Sequence, residues 1–94
     1  VIRTIEIGVI GDYDANKTSH LAMMAAIEHA SRHLSVATKP TWLPTSSFLA
    51  GAGRKTAGRY DAFWASSGSP YHSIEGAVDG IRLARESGRP FIGT

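Results

Sequence analysis

The sequence predicts a three-layer α/β fold, and three observations carry that reading. A β-branched run, Ile5, Ile7, Val9 and Ile10, is closed by Gly11 and followed by a long helical pattern. From Tyr60 to Thr94 the chain runs apolar stretch, small-residue loop, helix and short apolar stretch, which is one βαβ unit. Strand and helix patterns alternate along the chain, and that order favours a parallel sheet covered by helices.

The first strand is expected over residues 4–10, with Glu6 breaking the apolar pattern early and the far end buried on both faces. Residues 11–16, Gly-Asp-Tyr-Asp-Ala-Asn, form the loop that follows, and Asn16 or Thr18 is placed to cap the next helix. That helix spans residues 17–33. Leu21, Met24, Ala25 and Glu28 share one face, with Ile27 and Leu34 on a neighbouring one. Ala22, Ala25, Ala26 and Ala30 would allow close approach, and Arg32 and His33 suit the negative end of the helix dipole.

A second strand is expected within residues 34–43. Pro40 confines its hydrogen-bonded core to residues 36–39, or else places the strand at a sheet edge. Ser46 is placed to cap a short helical piece through Phe48, and the glycine-rich remainder to residue 60 reads as loop or weak helix. Residues 61–65 give the third strand. Ser73 is the expected N-cap of the second helix, whose buried face is read as Ile74, Ala77, Val78, Ile81 and Ala84. Gly76 and Gly80 inside it either permit tight packing or are simply tolerated, at about 1 kcal/mol each against alanine. Gly88 fits the left-handed position after the helix, Pro90 stops it, and Phe91-Ile92 begin a fourth strand. A sheet ending there lacks its follow-on elements. The pattern predicts the N-terminal half of a domain that continues beyond Thr94, or a sheet covered by a partner.

Bulk properties narrow the function classes. Ninety-four residues make one domain at most. Ten cationic against eight anionic side chains leave a formal charge of only +2. The densest basic group, Arg54, Lys55 and Arg59, reads as a solvated loop, so no nucleic-acid partner is expected. With no cysteine, a disulfide framework and a thiolate zinc site are excluded. No apolar run approaches the roughly 18 residues of a membrane span. Val1 to Ile5 lacks the core of an export peptide, so a cytoplasmic protein without a membrane partner is expected.

Chemistry concentrates at two loops. Ser66-Ser67-Gly68-Ser69 follows a strand and precedes a helix, so its backbone N–H groups are placed to meet an anion or a developing oxyanion; the plainer reading is a tight turn without a ligand. It is not a phosphate loop, and Gly8-Val9-Ile10-Gly11 is no dinucleotide fingerprint, so no cofactor is expected. His29 and His33 have metal-ligand spacing but no third ligand, and read as solvated helix residues. Tyr13, Ser19 and His20 are within reach of a site at the first loop, whereas Asp12 and Asp14 read as turn formers.

Two stretches resemble a known family. They are the run from Asp61 through Ser66-Ser67-Gly68-Ser69-Pro70, and Glu75-Gly-Ala-Val-Asp-Gly-Ile-Arg-Leu-Ala-Arg-Glu-Ser-Gly-Arg-Pro-Phe-Ile-Gly-Thr94. With Ile7-Gly-Val-Ile-Gly-Asp-Tyr13 and Ala26-Ile-Glu-His-Ala30, they are similar to class I glutamine amidotransferases over nearly the whole chain. The nearest likeness is to the glutaminase domain of CTP synthase and its small stand-alone relatives. The resemblance implies a flavodoxin-like sheet, a role in pyrimidine nucleotide biosynthesis, and glutamine hydrolysis by a Cys-His-Glu triad. The ammonia would pass to a synthase domain.

The resemblance places the nucleophilic cysteine immediately after Thr94, with Gly93 leading into its turn, so none of the triad lies within these residues. It also implies that Ser66, Ser67 and Gly68 occupy the family's Pro-Gly-Gly-Phe-Gly oxyanion loop, with Ser67 in the place of the second glycine. Serine still supplies an N–H but resists positive φ. A catalytically silent binding or regulatory protein is therefore the second reading, and an unrelated flavodoxin-like binding domain the third. A homo-oligomer is open beside the synthase partner.

Overall fold

β1 (Thr4–Ile10) forms where the β-branched run predicts it, and its last three residues are buried. The structure, a computed structural model, describes residues 3–51, 58–67 and 71–94. β1 is followed by α1 (Thr18–Leu34), β2 (Ala37–Leu43), a 3-10 segment (Thr45–Gly51), β3 (Ala62–Ala65), α2 (Ile74–Glu86) and β4 (Phe91–Gly93). The four strands form one parallel sheet in the order β2-β1-β3-β4.

Register divides the strand residues between two faces. Trp42, Val9, Trp64 and Ile92 stand in one row across the sheet, and Leu43, Ile10, Ala65 and Gly93 in the next. Successive residues of a strand point to opposite faces. Val9 therefore packs with Met23 and Ile27 of α1, beside Ile7, Met24, Trp42 and Trp64. Ile10 packs with Leu43, Phe48, Tyr60, Phe63 and Ala84 on the other side. These are the three layers expected from the sequence.

β2 begins at Ala37 and keeps Pro40 in mid-strand, opposite Ile7. Of the two readings open for Pro40, the edge strand is the one found. Ala37 N–H donates to Arg3 O at 3.3 Å, and strand residues alternate in direction. Pro40 therefore turns its missing donor to the open edge, where no ladder bond is lost.

Each helix buries only part of the face read from periodicity, keeping Ile27 in α1 and Ala77 and Ala84 in α2. In α1 the buried residues are His20, Met23 and Ile27, whereas Leu21, Leu34 and all four close-approach alanines are exposed. Neither Asn16 nor Thr18 caps it; Lys17 holds the N-cap position, and its side chain does not cap the helix. In α2, Ser73 is the cap as expected, its Oγ accepting Gly76 N–H at 3.0 Å. The inner face, however, is Gly76, Ala77, Gly80 and Ala84, while Ile74 is 71% and Val78 48% exposed. The physical cause is close approach. A Cβ on Gly76 would lie 1.9 Å from the Thr45 carbonyl oxygen, and one on Gly80 2.9 Å from the Phe48 ring. α2 thus turns its glycines toward the 3-10 segment, and bulkier neighbours are displaced outward. Gly88 takes the left-handed conformation (φ 73°) foreseen for it.

Candidate functional site

The carboxyl ends of the parallel strands bring together the β1–α1 loop, Thr45, the loop after β3 and the end of β4. This is the end of an α/β sheet where ligands bind. Ala65 pairs with Gly93, which sets Ser66 and Ser67 beside Gly93 and Thr94. Ala65 O accepts both the backbone N–H and the hydroxyl of Thr94, each at 3.2 Å. Thr94 Oγ1 in turn accepts the Trp64 indole N–H at 3.2 Å.

The loop after β3 has most of its described backbone groups committed. Ser66 N–H donates to Ile10 O at 3.0 Å and extends the ladder between β1 and β3. Ser66 O accepts the Tyr71 hydroxyl at 2.7 Å. Ser67 O faces His20 Nε2 at 3.1 Å. Ser67 N–H donates to none of the described residues. Within the described part of the loop, it is the backbone donor left uncommitted. Gly68, named from the sequence for the same role, lies outside the described residues. Ser66 Oγ is buried without a hydrogen-bond partner among the described residues. It stands over Gly11, where a Cβ would come within 2.1 Å of it. Gly11 is therefore the residue that lets the two loops touch.

Asp12, read from the sequence as a turn former, ties three segments together. Its carboxylate accepts Thr45 N–H at 3.0 Å, Thr45 Oγ1–H at 2.8 Å and His72 N–H at 2.9 Å. Thr45 Oγ1 also accepts Ser73 N–H at 3.0 Å, so one carboxylate fixes the entry to α2. Burial pushes the Asp12 carboxyl up, but the His72 and Thr45 amides, the Thr45 hydroxyl and the nearby His72 ring together hold it below the usual carboxylate range. Asp14 is an ordinary turn former, its Oδ1 accepting Asn16 N–H at 2.8 Å.

Tyr13 and His20 do meet at the first loop, as expected. His20 is 1% exposed, stacks with Tyr13 at 6.1 Å and lies 4.6 Å from the Trp42 ring. Ser19 is half-buried on the same turn. His29 and His33 are exposed on α1, far along the helix from this cluster. An open hollow of about 260 Å³ lies between Gly11, Asp12, Tyr13, Trp42, Pro44 and His72. The sequence reading missed Asp12 and Thr45 as organisers. The partners of Asp12 lie 33 and 60 residues away in the chain, and Ser73 lies 28 residues from Thr45; no local pattern reports such pairs.

The strand order and layering match the three-layer α/β fold of class I glutamine amidotransferases. A solved structure described as "Trypanosoma brucei CTPS - glutaminase domain with bound acivicin" superposes with a TM-score of 0.81 at 18% identity, over 95% of this chain and 35% of that one. The CTP synthase of Symbiobacterium thermophilum is 32% identical over 95 residues, and that of Pyrococcus furiosus 31% over 90. Those matches take in 97% and 96% of this chain but only 18% and 17% of the relatives, so it spans under a fifth of their length. No family model matches. The chain is homologous to the glutaminase domain of CTP synthase.

Proposed function

We propose that this chain forms the oxyanion-loop half of a glutaminase domain, one that hydrolyses the side-chain amide of glutamine and supplies ammonia to a synthase. The pairing of Ala65 with Gly93 is the observation that supports the reading. It puts Ser67 N–H, uncommitted among the described residues, beside the strand end that the family resemblance leads into the nucleophile turn. In this scheme a thiolate attacks the glutamine amide carbon, and Ser66, Ser67 and Gly68 form the loop that stabilises the oxyanion. Ammonia then leaves, and water cleaves the thioester to glutamate. Gly93 leads into the nucleophile turn in this scheme. These residues hold no cysteine, so the thiolate, its histidine and its glutamate would come from sequence outside them. The synthase would be a fused domain or a separate subunit, and the setting cytoplasmic pyrimidine nucleotide synthesis.

The second reading is a catalytically silent relative that binds or regulates. Serine in a loop that the family builds from glycine favours it, because a Cβ restricts the φ values a peptide N–H needs to turn toward an oxyanion. Incubating the intact natural protein with amide-15N-labelled glutamine separates the two. Labelled ammonia with stoichiometric glutamate supports the glutaminase. Glutamine binding without ammonia supports the silent protein, and no binding contradicts the glutaminase.

A further inference from the structure

Buried histidines on amphipathic helices are usually core residues, but His20 has both ring nitrogens engaged across two loops. Asp14 N–H donates to Nδ1 at 3.0 Å. A nitrogen that accepts a hydrogen bond carries no proton, so the ring is neutral and its single N–H is on Nε2. Nε2 lies 3.1 Å from Ser67 O, and a carbonyl oxygen only accepts. The two contacts therefore assign the tautomer jointly: Nδ1 accepts from the β1–α1 loop, and Nε2–H donates to the loop after β3. The ring itself packs against both Tyr13 and Trp42, whose own centroids are 5.0 Å apart, and is 1% exposed, which restricts its motion.

We propose that His20 is a positioning residue that fixes the Ser67 carbonyl, and with it the backbone unit of Ser67. Ser67 also carries the N–H that is uncommitted among the described residues, so holding its carbonyl restricts the backbone rotation that turns that N–H. That unit belongs to the loop assigned to the glutamine oxyanion, so the catalytic meaning of the lock rests on the glutaminase reading, whereas the lock itself does not. His20 touches no reacting atom. It acts through Ser67, and Asp14 keeps it in the donating tautomer.

The test begins on the unaltered intact protein, uniformly 15N-labelled. The imidazole spectrum is expected to show an unprotonated Nδ1 and a protonated Nε2 at His20. A proton on Nδ1 would overturn the proposal without any variant having been made. Two substitutions then divide the lock. H20Q keeps an N–H donor near the Nε2 position and loses the Nδ1 acceptor; H20N keeps an acceptor near Nδ1 and loses the reach to Ser67. The Ser67 carbonyl 13C shift should be retained in H20Q and move in H20N. The Asp14 amide should exchange on the order of tenfold faster in H20Q and near the parent rate in H20N. A Ser67 carbonyl indifferent to both substitutions, in proteins that still melt cooperatively, would overturn the proposal. Glutamine affinity should fall in H20N and recover in H20Q; equal affinity in the two would remove the positioning role. A parent protein that fails to bind glutamine would sink the glutaminase reading, while the imidazole and carbonyl spectra would still decide the lock.

Discussion

The carboxylate of Asp12 holds Thr45 twice, by its backbone N–H at 3.0 Å and by its hydroxyl at 2.8 Å. The same carboxylate takes His72 N–H, so a single side chain joins the first loop to the start of the 3-10 segment and the entry to α2. The Asp12 side chain is only 8% exposed, which leaves water little chance to replace these partners. Asp12→Asn puts an N–H₂ among three donors and should cost about 2 kcal/mol. Thermal melts of the two proteins at neutral pH check this.

Asp12 also gives stability a pH dependence. Its folded pKa lies below the ordinary value, so the unfolded chain binds its proton more readily. The stabilisation is therefore complete above the unfolded carboxylate pKa of about 4 and is lost as pH falls through the lower folded value. Denaturant midpoints measured on descending from pH 6 should drop more steeply for the parent than for D12N. Parallel curves would remove Asp12 as a source of acid sensitivity.

Gly76 is required by space. The Thr45 carbonyl sits 1.9 Å from where an alanine Cβ would be, and backbone cannot rotate away as a side chain can. Gly76→Ala is expected to destabilise by about 3 kcal/mol, despite alanine's better helix propensity. Val78→Ala, on the exposed side of the same helix, should stay within about 0.5 kcal/mol of the parent. Equal effects would mean that α2 does not pack on its glycines.

Ser66 offers the opposite sign. Its hydroxyl is buried and has no partner among the described residues, so it is desolvated without return. Ser66→Ala should leave stability unchanged or raise it by up to about 1 kcal/mol. Gly11→Ala, which drives a Cβ to 2.1 Å from that hydroxyl, should destabilise, and S66A should relieve part of the loss. A double-mutant cycle on urea unfolding measures that coupling.

Much of the fold was legible because its signals are local. The β-branched run gave β1 its bounds, Ser73 and Gly88 marked the ends of α2, and Pro40 left an edge strand as one of two readings. What was not legible depended on contacts between distant segments. Periodicity assigned Ile74 and Val78 to the core because they are apolar, but the close approach of Thr45 to Gly76 turned them outward. His20 was noticed for its nearness to the first loop, yet nothing local showed that it reaches Ser67, 47 residues on. Of the residues named for the site, Ser66, Ser67 and Gly93 converge through strand pairing. Asp12, which organises the same end of the sheet, looked like any aspartate in a turn.

The most direct test of the proposed glutamine site is a titration of the labelled intact protein with L-glutamine, followed residue by residue in NMR spectra. The account predicts that the largest shifts fall on Ser67, Gly93 and Thr94, with D-glutamine much weaker. Shifts centred elsewhere, or none at saturating L-glutamine, would contradict it.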